Sequence, residues 1–358
     1  MTKRIAVLGG DGIGPEVISV GLEVLRLVAE QRAIPLELIE LDLGAERYLR
    51  DGTTFPEEIA AEIQTCDGIL LGALGDPRVP DMRHARDILF GLRFGLDLYC
   101  NIRPVHCLDD SLMPLRGRAA SDCDLVVFRE NTEGIYVGVG GQFKRGTPDE
   151  IAISEDINTR KGVERILRAA FTYARDDRGR RLHMVDKHNA MQHAHELWLR
   201  VFHEVRLDYP EVEAEHLFVD AMCFHLVQDP SQFDVVVTCN LFGDILTDLG
   251  AALQGGLGMA ASANIRPGGI AMCEPVHGSA PPLANQDVAN PFATVLAVGM
   301  LLAHLGYPEE ELRLQQAIRH AVQSGECTRD VGGSFGLRRT GSALCRRLRD
   351  HAPPNRPA

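Results

Sequence analysis

The sequence predicts an α/β fold built on a mostly parallel sheet, and three observations carry that expectation. Short apolar runs alternate along the chain with longer stretches of helical periodicity. Glycine and proline mark several of the junctions between them. The chain has 358 residues, more than one small core takes up, which suits two domains or one large α/β unit.

Ile5-Ala6-Val7-Leu8 reads as a buried strand, residues 9–14 as a turn-rich loop, and Pro15 suits the first turn of a helix through Leu22, Val24, Leu25 and Val28. Residues 36–41 read as a strand, Pro56 opens a second helix, and Gly68-Ile69-Leu70-Leu71 is a further strand, which is the grammar of a parallel sheet. Leu125-Val126-Val127-Phe128 is a strand, and residues 138–156, rich in glycine and β-formers, predict extended, hairpin-like pieces. A helix from Thr159 to about Tyr173 follows, then strands at residues 182–185, 217–220 and 235–238. Helices are expected from Met191 to about Val205 and from about Gly243, and the chain closes with helices over 291–304, 308–324 and 341–351 and a frayed tail at 353–357. No internal repeat or low-complexity linker interrupts this order.

The hydrophobic fraction of 45% and charged fraction of 24% are those of an ordinary soluble globular protein. A net charge of -13 argues against general affinity for nucleic acid or an anionic membrane, so an anionic substrate would need locally placed arginines and lysines. Lysine occurs only at Lys3, Lys144, Lys161 and Lys187, which makes each lysine informative. The nine cysteines include no C-x-x-C pair and read as reduced structural thiols of a cytosolic protein, so no zinc site is expected. No signal-like segment precedes the first strand and no apolar stretch is long enough to span a bilayer.

Five groups of residues carry candidate chemistry. Gly9-Gly10-Asp11-Gly12-Ile13-Gly14-Pro15-Glu16 joins a strand to a helix, but its spacing is not G-x-G-x-x-G; it is a ligand contact or a tight structural turn. Asp244 and Asp248 lie four apart on an expected helix, so their carboxylates share one face. With Asp220 they offer hard oxygen ligands for Mg²⁺ or Mn²⁺, against the alternative that acidic residues simply favour a helix start. Lys187, after an apolar strand, is a base if burial or a metal lowers its pKa, and otherwise a solvated loop lysine. Arg93, Arg103 and Arg129 can fork onto carboxylates, although the chain is rich in arginine. The segment Glu274-Pro275-Val276-His277-Gly278-Ser279-Ala280-Pro281, with Asn290-Pro291 beyond it, reads as a binding loop rather than a core element.

These motifs occur together and in order with Phe128-Arg129-Glu130-Asn131-Thr132-Glu133-Gly134-Ile135-Tyr136 and Asp186-Lys187-His188-Asn189. In that combination the chain resembles the isocitrate/3-isopropylmalate/tartrate dehydrogenase family from about Arg4 to about Arg347. The resemblance implies a two-domain fold with a mixed, mostly parallel sheet. Residues 1–100 and 254–358 would form a large cofactor-binding domain, and 101–253 a small domain with an arm that clasps a twin in a homodimer. It implies that Arg93, Arg103 and Arg129 hold the carboxylates of a malate, and that Asp220, Asp244 and Asp248 bind the metal. Lys187, with Asp220 from the partner subunit, would take the C2 hydroxyl proton, and Tyr136 would protonate the enol left after loss of CO₂. Glu274, His277, Gly278, Ser279, Ala280 and Asn290 would line the dinucleotide site.

The resemblance further implies NAD as cofactor, because no basic pair is visible, with NADP as the alternative: Pro282-Leu283 matches neither the Asp that NAD-using relatives place there nor the Lys-Tyr of NADP-using ones, and Arg329 is the cation that would meet a 2′-phosphate. Leu89 and Phe90 would bury an alkyl group on C3 of the substrate, at roughly 0.8 kcal/mol per CH₂. That favours 3-isopropylmalate and its conversion to 4-methyl-2-oxopentanoate in leucine biosynthesis. Ala190 stands where a valine is usual, and Arg86 beside Asp87 departs from the family's pattern. An Arg86 aimed at the substrate would favour isocitrate, homoisocitrate or tartrate/malate, whereas one paired with Asp87 or solvent leaves the alkyl reading in place. A catalytically silent regulatory subunit is the rival from another class. It usually lacks some acid, base or metal residues, all of which are present here.

Overall fold

The computed structural model describes residues 2–176 and 181–350. The expected tail at 353–357 and the last residue of the expected final helix, His351, lie outside them. The chain opens with β1 (Lys3–Gly10), α1 (Gly14–Gln31), β2 (Leu36–Glu40), α2 (Ala45–Asp51), α3 (Glu57–Ile63), β3 (Gly68–Ala73) and α4 (Arg83–Gly95). Next come β4 (Cys100–His106), β5 (Asp124–Glu130), β6 (Gly140–Phe143), β7 (Ile151–Ser154), α5 (Arg160–Asp176), β8 (Leu182–Asp186) and α6 (Ala194–Arg206). The remaining elements are β9 (Ala214–Phe218), α7 (Val219–Gln228), β10 (Val235–Thr238), α8 (Asn240–Leu253), β11 (Ala261–Ile265), β12 (Ala271–Pro275), α9 (Phe292–His304), α10 (Pro308–Gln323) and α11 (Leu337–Asp350).

The chain forms two compact units. Met1–Leu98, His106–Ala120 and Ala251–Ala358 make the first, Tyr99–Val105 and Ser121–Gly250 the second. The segment His106–Ala120 groups with the first unit, whereas the sequence reading places residues 101–253 together.

In the first unit the strand order is β2-β1-β3-β12-β11. β1 runs parallel to β2 and β3, β12 parallel to β3, and β11 antiparallel to β12. Both faces of β1 and β3 are buried, as a parallel sheet covered by helices requires. Ala6, Leu8, Ile69 and Leu71 pack with Ile59 and Ile63 of α3 and Ile88 and Leu92 of α4. Helix α9 is buried along most of its length, from Phe292 to Leu302, the pattern of a helix inside a core rather than on a surface.

In the second unit the order is β4-β5-β10-β8-β9. β5, β10, β8 and β9 are mutually parallel neighbours. The fold is α/β with a mixed, mostly parallel sheet, as the alternating apolar runs predict. The glycine-rich stretch forms a two-stranded antiparallel hairpin, β6 against β7, with Gly140 opposite Ser154. Val139, Phe143, Ile151 and Ile153 on or beside it are exposed.

Three expectations need correction. The strand read over residues 217–220 is β9 ending at Phe218, and Asp220 sits in the first turn of α7. Leu217, Phe218 and Val219 are apolar in either state, so hydrophobicity does not locate the boundary. Helix α8 starts at Asn240, three residues before the expected Gly243. Glu274 and Pro275 belong to buried β12, so that motif begins inside the sheet rather than in a loop. All nine cysteines are free, and eight are buried. Among the described residues no helix is long and apolar enough to cross a membrane.

Candidate active site

In the second unit four expected site residues meet. Arg129, the penultimate residue of β5, is buried and donates from Nη1 to Asp244 Oδ1 at 2.7 Å. Its Nε and Nη2 reach Asn240 Oδ1 at 3.0 and 2.7 Å. Arg103 in β4 donates to Thr247 Oγ1 at 2.6 Å and Asn101 Oδ1 at 2.8 Å, and its Nη1 lies 3.5 Å from Asp244 Oδ1. The Tyr136 hydroxyl donates to Asp244 Oδ2 at 2.9 Å, and the Arg129 guanidinium lies 5.4 Å from its ring centre. Burial, and then the charge of Asp244, push the Tyr136 hydroxyl above the ordinary tyrosine value, which keeps it protonated as an acid must be.

Helix α8 supplies Asp244 and Asp248 one turn apart, so the two share a face. Burial, and next the charge of Asp244, raise the Asp248 carboxyl above its usual range. A cation beside the pair would relieve that repulsion, and carboxylate oxygens are the donors a hard divalent ion prefers. Asp220 does not join them within one chain. Among the described residues, the trio of potential ligands whose atoms lie within 4.8 Å of one another is Asp186, His188 and His216. Asp220 instead accepts from Lys187 Nζ at 2.5 Å, and that bond holds its carboxyl below the ordinary value. Lys187 follows directly on β8, and its backbone N–H donates to His195 Nδ1 at 2.9 Å. Asp244 and Asp248 therefore fit a hard divalent ion chemically, whereas Asp220 lies apart from them within this chain.

The first unit carries the other candidates. Arg93, in the last turn of α4, is buried and donates from Nη2 to Glu274 Oε1 at 3.3 Å. Its Nε is buried with no hydrogen-bond partner, a donor suited to a carboxylate. Glu274 also accepts from Asn264 Nδ2 at 2.8 Å. Leu89 packs against the core around Ile88 and Leu92, and Phe90 stacks on Phe94 with ring centres 5.2 Å apart. Arg86 is exposed and faces Asp87 Oδ1 at 3.5 Å.

His277, Gly278, Ser279 and Ala280 continue from β12. Burial lowers the His277 pKa, and its Nε2 is buried without a partner. A Cβ on Gly278 would meet open space. An unpaired buried ring nitrogen beside open backbone fits a polar ligand such as a dinucleotide. Asn290 donates to Asp330 Oδ2 at 2.9 Å and accepts from the N–H of Phe292 at the head of α9.

The loop at residues 9–14 is a brace for this segment. Ile13 N–H donates to Ser279 O at 2.8 Å, and Gly12 has φ +58 with an added Cβ 2.0 Å from that oxygen. Asp11 is buried and ties three places together, accepting from the N–H groups of Ala45 and Gly75 at 2.7 and 2.8 Å and lying 2.9 Å from His84 Nε2. Sequence reading gave no role to Asp11, His84, Asn101, Asn240 or Thr247. Asn240 sits inside a quoted motif, but its task is set by Arg129, which lies 111 residues away in sequence.

A model of the family described as isocitrate/isopropylmalate dehydrogenase matches residues 4–344. A 3-isopropylmalate dehydrogenase of Thermobifida fusca is 48% identical over 324 residues, 90% of this chain and 92% of its own. That of Beutenbergia cavernae is 46% identical over 349 residues, 95% of this chain and 100% of its own. Among solved structures, isocitrate dehydrogenase from Methylococcus capsulatus superposes with a TM-score of 0.88 at 34% identity, covering 97% of this chain and 100% of that one. Matching fold, a family model spanning nearly the whole chain, and near-full-length relatives place this chain in the isocitrate/isopropylmalate dehydrogenase family.

Proposed function

We propose that this chain is an NAD-dependent decarboxylating dehydrogenase that converts 3-isopropylmalate to 4-methyl-2-oxopentanoate in the cytoplasm, a step of leucine biosynthesis. The observation that carries the chemistry is the meeting of Arg103, Arg129 and Tyr136 on Asp244. It sets two guanidinium groups beside a protonated hydroxyl and a carboxylate, which supports carboxylate binding, proton delivery and metal ligation at one place.

Arg93, Arg103 and Arg129 bind the two carboxylates of the malate. Lys187 of the partner subunit takes the C2 hydroxyl proton. Asp244, Asp248 and the partner's Asp220 would hold a divalent ion, which would supply a Lewis acid, and a bound NAD would supply the hydride acceptor. The carboxylate on C3 is then β to a carbonyl and leaves as CO₂, and Tyr136 delivers a proton to C3. The proton removed at C2 and the one added at C3 balance, so the net products are the 2-oxo acid, CO₂ and NADH. His277, Gly278, Ser279, Ala280 and Asn290 hold the dinucleotide, with Glu274 fixing Arg93 beside them. NAD is favoured over NADP because Pro281–Leu283 forms a short turn that offers no cation to a 2′-phosphate.

For the alkyl substrate, Arg86 pairs with Asp87 and solvent instead of adding a cation beside Leu89 and Phe90. The relatives at 46–48% identity carry the isopropylmalate name, whereas the isocitrate enzyme stands at 34%. Purified protein should give its highest kcat/KM on 3-isopropylmalate among malate, tartrate, isocitrate and homoisocitrate, with NAD at least tenfold better than NADP and no turnover in excess chelator. A higher kcat/KM on isocitrate would overturn the substrate assignment. No turnover on any of these acids would favour a silent subunit.

A further inference from the structure

Asp186, His188 and His216 form a cluster that the reaction above does not use. Strands β8 and β9 are parallel, with Met184 opposite His216 and Asp186 opposite Phe218. Side chains two apart share a face of a strand, so this register puts His216 and Asp186 on one side. His188 follows two residues after Asp186, just past the strand end. The Asp186 carboxylate is almost fully buried, while the side chains of His188 and His216 keep 28% and 20% of their exposure, which leaves solvent a way in.

The geometry is convergent. His216 Nε2 lies 2.8 Å from Asp186 Oδ1, and His188 Nδ1 lies 3.1 Å from both oxygens. One ligand atom from each residue falls within 4.8 Å of the others. The two rings are 5.1 Å apart, and Phe218 packs beside both at 5.0 and 5.3 Å. Donors 2.8–3.1 Å apart subtend roughly 85–100° at an ion held at about 2.0–2.1 Å. An ion could therefore be seated with small ring movements. A hydrogen-bonded carboxylate alone would need neither two imidazoles nor their shared approach to it.

We propose that Asp186, His188 and His216 bind a divalent transition ion of the Zn²⁺ class, with solvent completing its coordination. Two imidazoles and one carboxylate select such borderline ions over Mg²⁺, which prefers oxygen donors. The site contains no cysteine, so cysteine spacing could not reveal it. On binding, His188 keeps its proton on Nε2 and His216 on Nδ1, which frees the nitrogens that face Asp186. The ligands lie on both sides of Lys187 in sequence but share no residue with the Asp220, Asp244 and Asp248 set.

The test uses full-length protein stripped of metal, dialysed against Zn²⁺ in a large excess of Mg²⁺, and analysed for bound metal. Wild type should hold one more Zn²⁺ per chain than the His188→Ala/His216→Ala double variant. Each single variant should bind that ion at least tenfold more weakly. With Co²⁺ in place of Zn²⁺, wild type should show the strong visible absorption of a low-coordinate nitrogen-ligated ion, and the double variant should lack it. Should the double variant misfold by circular dichroism, His188→Ala alone carries the test, since His188 lies outside the strand. Equal zinc content and unchanged cobalt spectra in wild type and variants would overturn the proposal.

Discussion

Asp244 is the side chain on which the second unit's chemistry turns, because both of its oxygens are in use. One faces Arg103 and Arg129, and the other accepts the Tyr136 hydroxyl. Tyr136→Phe removes the hydroxyl proposed as the acid and leaves the arginines in place. It should lower kcat by about 10²–10⁴-fold, the usual worth of a positioned acid, while KM for the malate stays within a few-fold and the fold is kept. Steady-state kinetics decide this, and a kcat within fivefold of wild type would remove Tyr136 from the mechanism. Spacing alone showed that Asp244 and Asp248 share a helix face, because four residues is one turn. Spacing could not show that Asn240, Asn101 and Thr247 brace the two arginines. Asn240 and Thr247 reach the arginines from α8, more than a hundred residues away, so nothing local in the sequence encodes those contacts, and the Asn101–Arg103 bond lies within β4, a strand the apolar pattern did not reveal.

Among elements, strands made of unbroken apolar runs were legible, as at Ile69-Leu70-Leu71 and Val235-Val236-Val237, because a covered parallel strand needs no polar alternation. β4 was not, since Asn101, Arg103 and Pro104 interrupt it, and two of these are buried polar residues turned to the site. β11 escaped for a related reason: Ala261-Ser262-Ala263-Asn264 is small and polar, yet buried. The turn between β1 and α1 was legible as a turn but not as a brace. Gly12→Ala tests the brace, since it forces a side chain into left-handed backbone and against Ser279 O. The backbone cost alone is about 1–2 kcal/mol. Gly52, also left-handed at φ +76 but with nothing within 4 Å, is the control. Gly12→Ala should lower Tm by clearly more than Gly52→Ala and weaken NAD binding at least tenfold by calorimetry. Equal Tm losses with unchanged NAD affinity would show that the loop does not support the cofactor segment.

For the molecule as a whole, the β6–β7 hairpin is the feature that least suits a lone chain. Two short strands are marginal by themselves, and this pair exposes Phe143, Ile151 and Ile153. A second copy pairing with it would bury those side chains and bring a second Lys187 and Asp220. Phe143→Asp with Ile153→Asp should therefore give monomers by light scattering and cut activity at least a hundredfold. A fully active monomer would defeat the shared-site reading. The discontinuous first unit has a different consequence, for the nascent chain. All of the second unit has been synthesised once Gly250 is made, whereas β3 of the first unit gains its neighbour β12 only when Ala271–Pro275 emerges, some two hundred residues later. The half that starts first on the ribosome thus finishes last. Until then Ile69, Leu70 and Leu71 lack the strand that completes their sheet, which makes this unit the one that depends on protection during translation.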